Sequence, residues 1–195
     1  GEVESTNPCG EQPLLPFESC NLGSINLDAM LVKKDGEYEL DYEEFERTIH
    51  NAVHFLDNVI TVNNYPLDEI REMTLSTRKI GLGLMGFADI LYKLKIPYNS
   101  DEAIALAEKI MQFLRDTARK ASNELAKARG TFPTYSESVF KSNGIVQRNA
   151  TVTTIAPTGT ISIICSASSG IEPIFGLSYI RNVMDNDELL EIHPY

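Results

Sequence analysis

Lys79-Ile80-Gly81-Leu82-Gly83-Leu84-Met85, then Gly86, then Phe87-Ala88-Asp89-Ile90-Leu91-Tyr92-Lys93-Leu94, is the stretch that decides the fold class. Its first seven residues are a short apolar run, the pattern of a buried strand, and the next eight read as a helix that must end before Pro97. On the N-terminal side, Tyr42 to Asn64 reads as a long helix. Asp41 and Glu44 have the spacing of a cap and its reciprocal acid, and Phe45, Ile49, Val53, Leu56 and Ile60 form one apolar stripe. On the C-terminal side, Asp101 to Arg129 reads as a second long helix. Ser100 caps it, Ala103, Leu106, Ile110, Leu114, Ala121 and Leu125 line one face, and Gly130 stops it. Thr151–Ala156 is β-branched and is expected to be another buried strand, followed by Pro157 and a helix to about Ser166, with Phe175–Val183 as a further strand. Strands alternating with helices imply an α/β fold around a mainly parallel sheet, open or closed into a barrel. No repeat, low-complexity tract or linker interrupts the chain, so residues 1–195 are expected to form a single domain.

Composition narrows the function classes. The 195 residues are 43% hydrophobic, enough for one core, and carry a net charge of −11 with a pI near 4.7. A phosphate polyanion needs a basic stripe, and none is present, so no nucleic-acid partner is expected. No run of 18 apolar residues occurs, and residues 1–11 are polar and acidic, so neither a membrane span nor a signal peptide is expected. Three cysteines do not make a secreted disulfide scaffold. A cytoplasmic protein is the expectation that remains.

Two clusters carry chemistry. In Thr6-Asn7-Pro8-Cys9-Gly10-Glu11, an amide, a thiol and a carboxylate occupy alternate positions. Pro8 and Gly10 disfavour a helix, and in an extended segment positions two apart point to one side, which would face all three groups toward one spot. A thiol flanked by a hydrogen-bonding amide and a base suits chemistry on a small polar substrate. The competing reading is a turn in which Asn7 and Glu11 serve the backbone and Cys9 is buried.

The second cluster is Thr154-Ile155-Ala156-Pro157-Thr158-Gly159-Thr160-Ile161-Ser162, which reads as strand, tight turn and helix start. Thr158, Thr160, Ser162, Ser166, Ser168 and Ser169 supply hydroxyls, and no Lys or Arg occurs from Asn149 to Ile180. An anion can still bind there, because free N–H groups at a helix start point outward and hydroxyls complete the hydrogen bonds. The alternative is an ordinary Thr-capped helix without a ligand.

The first cluster continues through Gln12-Pro13-Leu14 and Glu18-Ser19-Cys20-Asn21-Leu22-Gly23-Ser24-Ile25-Asn26-Leu27. Asn7–Leu27 resembles the catalytic segment of the adenosylcobalamin (vitamin B12)-dependent class II ribonucleotide reductases. The second cluster, with Ser168-Ser169-Gly170-Ile171-Glu172-Pro173 after it, is similar to that family's substrate diphosphate loop, and Arg78–Gly83 to one of its barrel strands. The resemblance implies part of a ten-stranded α/β barrel of the ribonucleotide reductase and glycyl radical enzyme type, with a catalytic finger loop. It implies thiyl-radical reduction of ribonucleotides, diphosphates being the expected form, to 2′-deoxyribonucleotides for DNA synthesis. Cys9 would carry the thiyl radical, Glu11 would take the 3′-hydroxyl proton, and Asn7 would hold the ribose hydroxyls. Cys20 would be one of the two thiols that end as a disulfide, its partner lying upstream of Gly1. Pro157, Thr158, Gly159, Thr160, Ile161 and Ser162 would bind the substrate's phosphates. Adenosylcobalamin is the implied cofactor. The implied partners are a ribonucleoside di- or triphosphate, a thioredoxin-type or dithiol reductant, and a second copy of the intact enzyme in a homodimer. A class I large-subunit barrel is the near alternative, and a non-catalytic nucleotide-binding domain the far one.

Three other signals are set aside. Gly81-Leu82-Gly83-Leu84-Met85-Gly86 satisfies the dinucleotide pattern, but the acid expected about 20 residues later would fall in or near the helix that starts at Asp101; the glycines are read as allowing close strand–helix packing. His50 and His54 have zinc spacing without a third ligand, so no metal is expected. Cys165 reads as a buried structural thiol. Since the upstream barrel half, the allosteric region and the C-terminal tail of the family are not seen in these 195 residues, the piece alone is expected to be inactive. A nucleotide reduction assay on it should give no deoxynucleotide.

Overall fold

The computed structural model describes residues 2–174, 176–183 and 187–193. Asn21–Asn26 (β3) and Ile80–Met85 (β6) lie side by side in parallel, with Leu22 opposite Gly81 and Ser24 opposite Gly83. The chain returns to the far edge of β6 at residues 151–154. There Leu82 N–H donates to the Val152 carbonyl (2.8 Å), Thr154 N–H donates to the Leu82 carbonyl (3.1 Å), and Thr153 forms a parallel bridge with Leu82. β6 is thus bonded on both edges, and all six of its residues are buried. The expected strand over Thr151–Ala156 is reduced to that single bridge.

Three antiparallel pairs flank this parallel unit. Ser5–Thr6 (β1) pairs with Pro13–Leu14 (β2), Leu31–Lys34 (β4) with Glu37–Leu40 (β5), and Ser178–Val183 (β7) with Asp187–Ile192 (β8). The β4–β5 turn is Asp35-Gly36, both at positive φ, which matches the twist of a two-residue hairpin. Of the strand expected at Phe175–Val183, the part from Ser178 is present, and Phe175 lies outside the described residues.

The long helices follow the sequence closely. Tyr42–Val62 (α1) is capped by Asp41, whose carboxylate accepts from the Glu43 and Glu44 N–H groups; the Glu44 side chain turns to Arg47 and Thr48 rather than back to the cap. Phe87–Leu94 (α3) and Asp101–Arg129 (α4) keep their expected bounds, and Ser100 caps α4. Asp68–Thr77 (α2) lies between α1 and β6, Val139–Ser142 (α5) is a single turn, and Gly159–Ile164 (α6) opens the phosphate-loop candidate. One apolar cluster joins these elements: Phe45, Ile49, Val53, Leu56 and Ile60 of α1 pack with Ile80, Leu82 and Leu84 of β6 and with Ile110 and Leu114 of α4.

The opposite face of the parallel pair is kept bare. An ideal Cβ at Gly81 would lie 2.6 Å from a Leu22 methyl, 2.7 Å from the Thr154 methyl and 2.8 Å from Gln12 Nε2. At Gly83 it would lie 2.4 Å from the Thr154 carbonyl oxygen. The glycines therefore make room for the 12–22 segment and for Thr154, not for a helix, and the expectation of strand–helix packing is corrected accordingly.

A buried carboxylate ties the elements together. Asp57, fully buried on α1, accepts at Oδ1 from Arg78 Nε (2.8 Å) and Asn149 Nδ2 (3.0 Å) and at Oδ2 from Arg148 Nε (3.4 Å). Asn149 also donates to the Arg78 carbonyl (3.0 Å) and accepts from Ser122 of α4 (2.8 Å). Burial pushes the Asp57 carboxyl up, but the Arg78 hydrogen bond and charge, with Arg148 and Asn149, outweigh it and hold the group below its ordinary value of 3.8. Its stabilisation is therefore complete at neutral pH, declines as pH drops below that ordinary value, and is lost as pH falls through the depressed folded value. Asp57→Asn leaves Arg78 buried without its counter-charge and should cost about 3–5 kcal/mol in urea unfolding, with the variant's remaining stability less sensitive to acid.

Candidate active site

Asn7–Gln12 is the tip of the β1–β2 hairpin. Asn7 N–H donates to the Gln12 carbonyl (3.2 Å), Gly10 N–H donates to the Asn7 carbonyl (3.0 Å), and Gln12 N–H donates to Asn7 Oδ1 (2.9 Å). Pro8 suits the second position of this turn, and Gly10 takes the positive φ of 83° that the return requires. The expected extended segment is thus corrected: the chain folds back, because hairpin pairing of Thr6 with Pro13 leaves too few residues to run straight. The Asn7 amide oxygen serves the backbone, as the turn reading foresaw, leaving its Nδ2 donors as the part that could meet a hydroxyl. Cys9, however, is exposed at the tip rather than buried.

Glu11 sits where the hairpin meets the parallel unit. Its carbonyl accepts from Thr154 Oγ1 (3.0 Å), a bond between positions 143 apart in sequence. Its Oε2 is buried and has no hydrogen-bond partner among the described residues. A buried carboxylate oxygen left unsatisfied is costly in a purely structural role and is poised to take a proton from a ligand.

Cys20 is half-buried just before β3. Burial pushes its thiol up, the Glu11 charge adds to that, and the Lys79 ammonium opposes it. Glu11 and Cys20 are therefore within electrostatic reach of each other. All three cysteines are free thiols. Cys165, expected to be buried, is exposed at the end of α6, because the only buried side chain of that helix is Ser162.

The second cluster lies directly beyond Thr154. Gly159, Thr160 and Ile161 form the first turn of α6, whose N–H groups have no intrahelical acceptor; the first intrahelical bond is Ser162 N–H to the Thr158 carbonyl (2.9 Å). Pro157, Gly159, Thr160 and Ile161 are exposed, and an ideal Cβ at Gly159 meets nothing within 4 Å. Thr158 and Ser162 behave differently from expectation. Thr158 is buried, adopts a positive φ of 61° and uses its Oγ1 to accept from Gly170 N–H (2.7 Å). Ser162 Oγ is bonded to the Gly159 carbonyl (3.2 Å) and Ser169 Oγ (3.1 Å). These two hydroxyls shape the loop, leaving the Thr160 hydroxyl and the first-turn N–H groups to face a ligand.

Four residues that bear on the site went unassigned in the sequence. Gln12 is buried over Gly81, Thr154 holds Glu11, and Glu18 pairs with Lys79 (2.7 Å) beneath the hairpin. A lysine opening an otherwise apolar strand, and a glutamate that burial would strand without a partner, were the available signals. Elsewhere, His50 pairs with Glu124 and Glu46, and His54 contacts Arg129. Among the described residues no cluster of His, Cys, Asp and Glu could hold a metal, and no helix is long and apolar enough to cross a membrane.

Thr154→Val keeps the side-chain volume but removes the Glu11 bond. It should lower stability by about 1 kcal/mol and speed hydrogen exchange at the Gly10–Gln12 amides, read by exchange mass spectrometry.

Comparisons with known proteins agree with this geometry. The family described as the ribonucleotide reductase barrel domain matches residues 1–147 and 140–195. The chain is 56% identical over 194 residues to the vitamin B12-dependent ribonucleoside-diphosphate reductase of Thermoplasma acidophilum, covering 100% of this chain and 25% of that protein. It is 50% identical over 194 residues to the protein of the same name from Mycobacterium tuberculosis, covering 100% and 27%. It is 34% identical over 228 residues to the ribonucleoside-diphosphate reductase subunit alpha of Chlamydia pneumoniae, covering 96% and 22%. The chain thus spans about a quarter of the length of these vitamin B12-dependent relatives. With an exposed thiol on a hairpin tip, a carboxylate with an unpartnered buried oxygen on the same tip and a hydroxyl-rich loop joined to it through Thr154, this chain belongs to the ribonucleotide reductase family, as a section of its barrel domain.

Proposed function

We propose that this chain carries the catalytic hairpin and the phosphate loop of an adenosylcobalamin-dependent ribonucleoside-diphosphate reductase. The observation that carries the reading is the Thr154–Glu11 hydrogen bond, which joins the thiol–carboxylate hairpin to the anion cradle. Two relatives at 50–56% identity bear the vitamin B12-dependent name, whereas the subunit alpha of Chlamydia pneumoniae, whose name carries no such term, stands at 34%, and this favours the cobalamin branch.

The net reaction converts a ribonucleotide and two thiols into a 2′-deoxyribonucleotide, a disulfide and water. Cys9, as a thiyl radical, takes the 3′-hydrogen of the ribose and later returns it; a thiol S–H and a sugar C–H are close enough in strength for both directions. Glu11 accepts the 3′-hydroxyl proton through its unpartnered Oε2, which drives departure of the 2′-hydroxyl as water with a proton from one of the two reducing thiols. Asn7 Nδ2 orients the ribose hydroxyls. Cys20 and a second thiol supply the two electrons, and a thioredoxin-type or small dithiol reductant restores them. The first-turn N–H groups of Gly159, Thr160 and Ile161, with the Thr160 hydroxyl, bind the diphosphate without a cation.

The Cys9 surroundings fit the cofactor. The thiol is exposed, and an ideal Cβ on the adjacent Gly10 meets nothing within 4 Å, so a bulky group can approach. Adenosylcobalamin, when bound, supplies the radical chemistry that initiates turnover and that no side chain of this chain provides.

The test uses the full-length protein, CDP, a dithiol, and adenosylcobalamin present or absent. Product should appear only with the cofactor, Cys9→Ser should abolish it, and Glu11→Gln should lower kcat by ~10²-fold or more. Product without the cofactor would overturn the cobalamin assignment.

A further inference from the structure

We propose that Glu18 and Lys79 act as a positioning pair for the Cys20 side of the site, with Lys79 both tying the hairpin's return limb to β6 and supplying a positive charge one residue before the paired Asn21 and Ile80, level with Cys20. This rests on the assignment of Cys20 as a reducing thiol.

The geometry is specific. The Glu18 side chain has no exposed surface, and its carboxylate accepts from Leu15 N–H (2.8 Å), Thr77 Oγ1 (2.6 Å) and Lys79 Nζ (2.7 Å). Lys79 Nζ also donates to the Pro13 carbonyl (2.9 Å). The pair's bonds thus join the hairpin's exit at Pro13 and Leu15 to the junction of α2 with β6 at Thr77 and Lys79. Ser19 adds a further tie, its N–H to Thr74 Oγ1 at 3.2 Å and the two hydroxyls 2.7 Å apart. Apart from the buried Leu14, apolar packing does little here: Phe17 is 58% exposed, at a positive φ of 59°. The limb between Glu11 and Cys20 is held by polar bonds, and those bonds converge on one ion pair.

The charges that reach Cys20 are Glu11 from the hairpin, Glu18 from its own limb and Lys79 from the start of β6. Two carboxylates would hold the thiol protonated; a thiol must ionise to attack or leave in disulfide chemistry. Lys79 is the opposing charge, and Glu18 is the group that holds it in place and partly neutralises it. The two partners therefore have opposite electrostatic effects on the same thiol, while their structural effects run the same way.

That difference provides the test. In the full-length protein, the pH dependence of Cys20 alkylation by iodoacetamide is followed by peptide mass spectrometry, with Cys165 as an internal control. Lys79→Met should move the Cys20 midpoint to higher pH, Glu18→Gln should move it to lower pH, and Lys79→Arg should restore the native profile. The Cys165 profile should not move. If the pair were merely structural, both variants would loosen the limb and shift the midpoint in the same direction, and that result, or no shift in either, would overturn the proposal. A Cys20→Ser variant that still reduces CDP would overturn the assignment of Cys20 instead, leaving the alkylation shifts intact.

Discussion

The closeness of Thr154 to β6 is the constraint on which the site depends. With the Thr154 carbonyl oxygen 2.4 Å from where a side chain at Gly83 would begin, the 151–154 limb can pair with β6 only if that position has no side chain. The same is true at Gly81, where Gln12, Leu22 and Thr154 occupy the vacated space. The two glycines give up side-chain packing on one face of a central strand, and β6 recovers it on the other through Ile80, Leu82 and Leu84. The exchange sets the hairpin and the phosphate-loop candidate on one floor, close enough for Thr154 to bond Glu11.

A second constraint is electrostatic. Asp57 takes hydrogen bonds from residues in two separate stretches of chain, at Arg78 and at Arg148-Asn149. The same carboxylate thus fixes the start of β6 and the approach to the 151–154 limb, the two segments that have to meet at Gly83. Arg78 also ends α2 in the left-handed conformation, a strain that its buried ion pair offsets. Local backbone geometry and long-range charge pairing are coupled in one residue.

How far the sequence could be read follows from the same physics. The apolar stripes of α1 and α4 were visible because their buried faces are aliphatic and their caps are Asp41 and Ser100. α2 was not, because the residues it buries are Thr74 and Thr77, which carry no apolar periodicity. The β4–β5 hairpin has its signal in Asp35-Gly36 alone, and β3 lies inside a stretch with no continuous apolar run or clean alternation. The catalytic candidates were legible as residue types, but their arrangement was not. Turn pairing at Asn7, the inward hydroxyl of Thr158 and the ion pair under Cys20 depend on partners from 5 to 61 positions away, and no local spacing encodes them.

The phosphate-loop candidate separates two demands that usually coincide in a glycine. The left-handed backbone falls on Thr158, which is held there by its bond to Gly170, whereas Gly159 has an ordinary φ and open space before it. Its missing side chain is not required by the fold. A methyl group at that position would leave the native state almost untouched and would project toward whatever approaches the first turn of α6. Stability and the ligand recognition proposed for this loop are thus written at adjacent positions in different residues, so selection can adjust one without disturbing the other.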